Sequence, residues 1–345
     1  MHPIKNRTSR LKKAILFFVA ILILHKPLIE GGRIVITYVI PKVGQDMSIA
    51  WDVLRNKINP PSPLTINFSL AEFKHQQLYT VKNKSPQIRV SAKSFFVADL
   101  ETGDVILAYN AEEERAIASV SKLLTAVVAV ELIPQKDFAK VSERALATYG
   151  KNGNFSVGEK IQNVNLLFPL LLESSNDAAE IIAEQLNRKN FMLRMNEKVL
   201  ELGMIHSRFE DPSGLSPNNI STARDLFALV QHIYKEKPYL LDISRISQYK
   251  TSRHVWFTHN QFLREDGYIG GKSGFTNPAK QTNIAVFKRT IDGQIRPFAV
   301  VILGSDNRYA DTMTVVRFIE KHISLTTRLP LISPEIIESD SPYVH

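Results

Sequence analysis

Ser119 and Lys122 stand three residues apart in Ala118-Ser119-Val120-Ser121-Lys122. On a helix, positions i and i+3 share a face, which would set the hydroxyl and the amine side by side. A serine hydroxyl is a poor nucleophile until a base takes its proton. A lysine can be that base where burial and neighbouring charge lower its pKa. The spacing alone says little. Ordinary composition gives S-x-x-K on the order of once in a chain this long, and Ser9–Lys12 and Ser247–Lys250 repeat it here. Two later patterns change the weighing. Ser174-Ser175-Asn176 is S-x-N, and Lys272-Ser273-Gly274 is K-[S/T]-G, followed by Phe275-Thr276. S-x-N also recurs, at Ser216–Asn218 in a turn-rich loop and at Ser305–Asn307. The latter comes after the K-S-G and so in the wrong order.

The elements that must carry these residues are legible from about residue 91. Ser94–Leu100 and Val105–Tyr109 are apolar runs of strand length, joined by Glu101-Thr102-Gly103-Asp104, which suits a hairpin turn. A helix is predicted to open near Ser119 and to run to Pro134. Two helical pieces, Asn165–Leu172 and Asp177–Leu186, break at Ser174-Ser175-Asn176. Thr222-Ala223-Arg224-Asp225 resembles a capping box opening a helix to about Glu236. Strand-like runs follow around Gly270–Phe275, at Thr282–Lys288 and at Phe298–Leu303, and a last helix covers about Tyr309–Ile323. Strands come first and last with helices between them. That order points to an antiparallel sheet carrying helices, an α+β fold, rather than a parallel βαβ sheet.

S-x-x-K, then S-x-N, then K-[S/T]-G is the ordered signature of penicillin-binding proteins and serine β-lactamases. The stretch from about 91 to 323 resembles the D-alanyl-D-alanine carboxypeptidases, low-molecular-mass penicillin-binding proteins of serine peptidase family S11. The likeness extends past the three motifs. It includes Thr102-Gly103 with Tyr109-Asn110, Leu123-Leu124-Thr125-Ala126, Leu170–Ala179, Asp211-Pro212-Ser213-Gly214-Leu215, Ser221–Leu226 and Gly270–Thr276. The resemblance implies a β-lactamase/transpeptidase-like fold, with helices on both sides of the antiparallel sheet and an all-helical subdomain. It implies Ser119 as nucleophile, forming an acyl-enzyme with the penultimate D-alanine, and Lys122 as the base. Ser174 would relay a proton to the departing D-alanine, and Asn176 would bind the substrate amide and help hold Lys122. Lys272 and Ser273 would receive the terminal carboxylate. The backbone N–H groups of Ser119 and Phe275 would form the oxyanion hole. The implied substrates are peptidoglycan stem peptides ending in D-Ala-D-Ala, with β-lactams as inhibitors and no cofactor.

The chain departs from the family in places. Ser273 stands where threonine is common, and Ser175 where glycine or aspartate is frequent. Only about 20 residues follow the last helix, so the second β-rich domain and the C-terminal amphipathic anchor of many relatives are not expected. A D,D-endopeptidase would use the same residues on cross-linked peptides. Class A β-lactamases place a deacylating glutamate in E-x-x-L-N. The look-alike at Glu184-Gln185-Leu186-Asn187 is one residue short and continues a helix, which disfavours fast penicillin hydrolysis. A catalytically inactive cell-wall binding module is the rival of another class, and three intact motifs argue against it. The Asp211–Leu215 loop and Arg224 read as structural. His254 and His259 are five apart, which is no metal pair, and no metal is assigned.

Composition narrows the rest. The 345 residues are 44% hydrophobic and 22% charged, as in ordinary globular proteins. The absence of cysteine excludes disulfides, thiolate metal sites and cysteine nucleophiles. The net charge of +9 belongs to the N-terminus, where Lys5, Arg7, Arg10, Lys12, Lys13 and Lys26 stand without an acid; the remaining chain is close to balance. Nucleic-acid binding therefore loses most of its support. Ala14–Leu24 is an unbroken apolar run behind those cations, the pattern of an export signal. Eleven helical residues span about 16 Å, against a hydrocarbon core of roughly 30 Å. Length favours a cleaved signal. The lack of a small-x-small site after His25, and the chance of extension through Leu28 and Ile29 with Lys26 snorkelling, favour an uncleaved membrane anchor, and the anchor is preferred. Either way the body lies outside the cytoplasm. The expected layout is 1–30 signal or anchor, 31–90 a connecting segment with a linker at Asn59–Pro63, 91–325 the catalytic domain, and 326–345 a tail.

Overall fold

The computed structural model describes residues 28–30, 33–35, 78–82, 87–150 and 152–326. The apolar run Ala14–Leu24, the linker at Asn59–Pro63 and the tail beyond 326 lie outside the described residues. Two compact units are resolved, 1–76 and 77–345. In the first, Leu28–Glu30 pairs antiparallel with Arg33–Val35. Leu28 and Ile29 are thus extended and do not prolong a helix.

The second unit is built on a five-stranded sheet. Its strands are β1 (Ser94–Asp99), β2 (Val105–Tyr109), β3 (Tyr268–Thr276), β4 (Lys280–Ile291) and β5 (Gln294–Ser305). Their order is β3-β4-β5-β1-β2, and every pair is antiparallel. The runs are continuously apolar because both faces are covered. Phe96, Ala98, Val286, Val301 and Leu303 point into one core, and Phe95, Val97, Phe287, Val300 and Ile302 into the other. Successive side chains of a strand leave on opposite faces, so one apolar run feeds two cores.

Helices fill both sides, as the α+β reading requires. They are α1 (Lys122–Leu132), α2 (Asn163–Leu172), α3 (Asn176–Glu184), α4 (Arg188–Glu201), α5 (Ala223–Glu236), α6 (Pro238–Ser244) and α7 (Arg308–His322). Helix α1 is buried along Lys122–Ala129, matching a sequence apolar all round. Helix α5 opens where the capping box predicted, with Asp225 N donating to Thr222 Oγ1 at 3.0 Å. Its Leu226, Leu229, Val230 and Ile233 face the α1 side of the sheet. Helix α7 covers the opposite side with Met313, Val315, Val316 and Ile319. Helix α4 was not foreseen. Its apolar residues Phe191, Met192, Met195 and Val199 are sparse in a charged segment, yet they are the buried ones.

Residues 79–81 also belong to this unit, upstream of the 91 at which the sequence set its start. Tyr79–Val81 pairs with Ile323–Leu325 after α7. Tyr79 is buried, and its hydroxyl donates to Asp99, whose carboxylate also accepts from Arg296. A polar cluster of this kind gives no periodic signal.

Candidate active site

Ser119 sits on a single 3-10 turn, Ala118–Ser121, that runs directly into α1. Two glycines allow other segments to approach this turn. A methyl on Gly214 would fall 2.0 Å from Ala118 O, and one on Gly274 would fall 2.7 Å from Ser119 N. Real Cβ contacts are not that short, so the Asp211–Leu215 loop and strand β3 both press on the turn as only glycine permits. Thr282 of β4 adds a hydrogen bond from Oγ1 to Ile117 O at 2.9 Å.

Lys122 is fully buried, one turn after Ser119. Its Nζ donates to Ser119 Oγ at 3.0 Å, to Asn176 Oδ1 at 2.7 Å and to Ser213 O at 2.5 Å. Burial lowers its pKa from 10.5 to about 7, while the Asp211 carboxylate pulls the other way. Near neutral pH, then, a sizeable share of Lys122 is unprotonated and within reach of a half-buried serine hydroxyl.

The S-x-N segment spans the break between α2 and α3. Ser174 has φ +58°, which turns the chain between the helices. Ser175 caps α3, its Oγ accepting from Ala178 N at 3.0 Å. That frees Ser174 and Asn176 to face inward. Ser174 Oγ accepts from Lys272 Nζ at 2.8 Å, and Asn176 Nδ2 donates to Tyr149 O at 2.8 Å.

Lys272 is buried on β3, and its Nζ also donates to Ser273 O at 2.7 Å. Burial, then the charges of Lys122 and Arg308, hold its pKa well below the usual lysine range. Ser273 is half-buried, and Phe275 is exposed. Arg308, at the start of α7, donates from Nη1 to Gly274 O at 3.1 Å and is itself lowered by burial. An open cavity of about 500 Å³ lies alongside, lined by Gln261, Phe275, Gln281, Asp306, Asn307 and Arg308. A larger one, about 620 Å³, is lined by Arg144, Glu184, Arg188 and Glu210 among others and by none of the motif residues. Volume alone would mark the wrong place; the converging titratable groups mark this one.

The three motifs thus meet: hydrogen bonds join Lys122 to Ser119 and Asn176, and a separate one joins Lys272 to Ser174, the residue two before Asn176. The other S-x-x-K and S-x-N matches do not join them. Ser247 is exposed, Ser216 Oγ donates to Glu210, and Ser305 Oγ donates to Asp311; Ser9 lies outside the described residues. Glu184, the β-lactamase look-alike, pairs with Arg144 at 2.9 Å. Arg224 pairs with Glu112 and lies over the Phe96 ring, a structural place.

Two contributors escaped the sequence reading. One is Arg308. The other is Asp211, in a loop read as structural only. Its Oδ1 accepts from the N–H groups of Ser213, Gly214 and Leu215 and from the Ser213 hydroxyl, and Oδ2 accepts from Ser216 N. Burial pushes its pKa up, but these donors outweigh burial and leave it lowered. The loop they tie presents Ser213 O to Lys122. An aspartate followed by a proline, a serine and a glycine was the available signal, and it reads equally well as a plain turn.

A family model described as D-alanyl-D-alanine carboxypeptidase, peptidase family S11, matches residues 80–307. The chain is 28% identical over 240 residues to a D-alanyl-D-alanine endopeptidase of Escherichia coli (strain K12), covering 65% of this chain and 74% of that protein. It is 27% identical over 231 residues to the D-alanyl-D-alanine carboxypeptidase DacF of Bacillus subtilis (strain 168), covering 63% of this chain and 59% of that protein. Among solved structures, a D-alanyl-D-alanine carboxypeptidase from Mycobacterium tuberculosis H37Rv superposes with a TM-score of 0.64 at 24% identity, over 69% of this chain and 95% of that one. That likeness gives the fold.

Proposed function

Because the chain belongs to the D-alanyl-D-alanine carboxypeptidase family of serine peptidases, we propose that it removes the terminal D-alanine of peptidoglycan stem peptides through an acyl-enzyme on Ser119. The observation that carries the reading is the 3.0 Å contact between Ser119 Oγ and a buried Lys122 whose pKa is lowered to about 7. Neutral Lys122 takes the Ser119 proton as Oγ attacks the carbonyl of the penultimate D-alanine. Backbone N–H groups of Ser119 and Phe275 stabilise the oxyanion, dipoles held in place before charge develops. The C–N bond breaks, and the leaving amine receives its proton by way of Ser174, which bonds Lys272. Asn176 orients Lys122 and the substrate amide. Lys272, Ser273 and Arg308 supply the positive, hydrogen-bonding end for the terminal carboxylate. Water then takes the place of the amine and releases the shortened peptide. β-Lactams would acylate the same serine.

A D,D-endopeptidase acting on cross-linked peptides is the second reading, favoured by the name of the Escherichia coli relative. We place the body outside the cytoplasm, held by the basic and apolar N-terminal segment. Labelled penicillin tests the core of the reading. The protein should take up label, Ser119→Ala should not, and label mapped to Ser247 or retained by Ser119→Ala would overturn it.

A further inference from the structure

Glu159 and His254 form a buried hydrogen-bonded contact that the reaction above does not use. Glu159 Oε1 lies 2.5 Å from His254 Nε2, and the two side chains are 7% and 8% exposed. Glu159 closes the loop stretch 152–159. Its Oε2 accepts from Ser156 N at 3.1 Å, and its carbonyl accepts from Val141 N at 2.8 Å. His254 lies in the turn of the ribbon formed by Gln248–Lys250 and Val255–Phe257, with its backbone N–H donating to Thr251 Oγ1 at 3.0 Å. Its ring stacks on buried Trp256, whose indole N–H donates to Gly153 O at 2.9 Å. The ribbon therefore grips the loop at two points.

The other side of the same loop touches the S-x-N segment. Asn152 O accepts from Ser175 Oγ, and Tyr149 O accepts from Asn176 Nδ2. The second contact decides which way the Asn176 amide points. With Nδ2 engaged by a carbonyl, Oδ1 is the atom left to face Lys122 Nζ, at 2.7 Å. An amide turned the other way would set N–H groups against the lysine and could not accept from it. We propose that Glu159 and His254 are positioning residues for Lys122, acting through the stretch 152–159, the Tyr149 carbonyl and the orientation of the Asn176 amide. Neither makes a hydrogen bond to Ser119, Lys122, Ser174 or Lys272 among the described residues. The proposal rests on the reading of Ser119 and Lys122 given above.

The test is steady-state hydrolysis of a D-Ala-D-Ala-terminated peptide, with the end-point extent, not the rate, of fluorescent penicillin uptake at Ser119 counting the folded fraction. Displacing a reacting group by about 1 Å can cost about 100-fold. Glu159→Ala and His254→Ala should each lower kcat at least about tenfold with KM within about twofold, a loss of catalysis rather than of binding. The double variant should be no slower than the slower single one, because both changes open one contact. Glu159→Gln should keep at least about half of kcat, since its amide oxygen still accepts from His254. Wild-type kcat in alanine variants that take full label would overturn the proposal, and so would additive losses in the double variant. If the alanine variants take no label, Glu159→Asp, shorter by one methylene, must label fully and still lose kcat; wild-type kcat there would overturn it too. Wild-type protein that takes no label at Ser119 would instead sink the functional reading.

Discussion

Lys122→Met should make the protein more stable at pH 6 and nearly inactive. Lys122 is fully buried, and its pKa drops from 10.5 to about 7, chiefly through desolvation of the ammonium. Each pH unit of displacement is worth about 1.4 kcal/mol, so below pH 7 the native state holds an ammonium disfavoured by about 5 kcal/mol. The sign follows from proton counting. Between about pH 7 and 10.5 the unfolded chain carries a proton that native Lys122 has given up, so stability rises with pH across that window. The penalty is full below about 7 and gone above 10.5. Methionine keeps the unbranched length and removes the charge. Against the gain, Ser213 O loses its donor in a buried place at a cost of about 1–3 kcal/mol, while Asn176, only half-buried, loses its own at little cost. The net at pH 6 is about 2–4 kcal/mol, which raises Tm by roughly 5–15 °C in a domain of this size. By pH 9.5 most of the penalty in the wild type is relieved, so the advantage should vanish or reverse. Thermal melts by circular dichroism at pH 6 and 9.5 measure both numbers, and acylation by labelled penicillin should fall at least about 100-fold. A variant less stable at pH 6, or one whose advantage is the same at both pH values, would refute the claim that burial of this ammonium sets its pKa.

Three further outcomes are expected. Lys272→Ala removes a proposed carboxylate partner, so KM on a D-Ala-D-Ala peptide should rise along with a fall in kcat; an unchanged KM would count against that role. Gly274→Ala places a methyl 2.7 Å from Ser119 N and must push β3 off the turn, so acylation should slow about 100-fold while circular dichroism stays native. Protease added to spheroplasts should cut the body without membrane lysis, and protection until lysis would argue against export.

The order of strands and helices was legible because it rests on periodicity. The predicted apolar runs became β1 to β5, and the Thr222 box opened α5 where expected. The motifs were legible because residue types at fixed spacing carry their own chemistry. What the sequence hid was whatever depends on long-range contact. Lys122 and Ser213 are 91 residues apart, and nothing local says that a turn's carbonyl will meet a lysine. Gly274 looked like part of a motif, whereas its place against Ser119 N shows why a side chain cannot stand there. Helix α4 was missed because an amphipathic stripe with few apolar residues among charges resembles a solvated segment until its partners are known.

Two buried lysines converge on this site, and their charges oppose one another. Burial lowers both, but Asp211 supports the Lys122 ammonium, whereas Lys272 faces Lys122 and Arg308. A substrate carboxylate at the end proposed for it, Lys272 and Arg308, would favour the Lys272 ammonium, because a nearby negative charge favours the charged form. A charged Lys272 would then disfavour the proton on Lys122, the base proposed beside Ser119. On this reading the terminal carboxylate does more than anchor the peptide. Its binding would favour the protonation state that the proposed first step needs. A peptide with an amidated C-terminus would lack both the contact and the trigger, and the loss would fall on kcat as well as on KM.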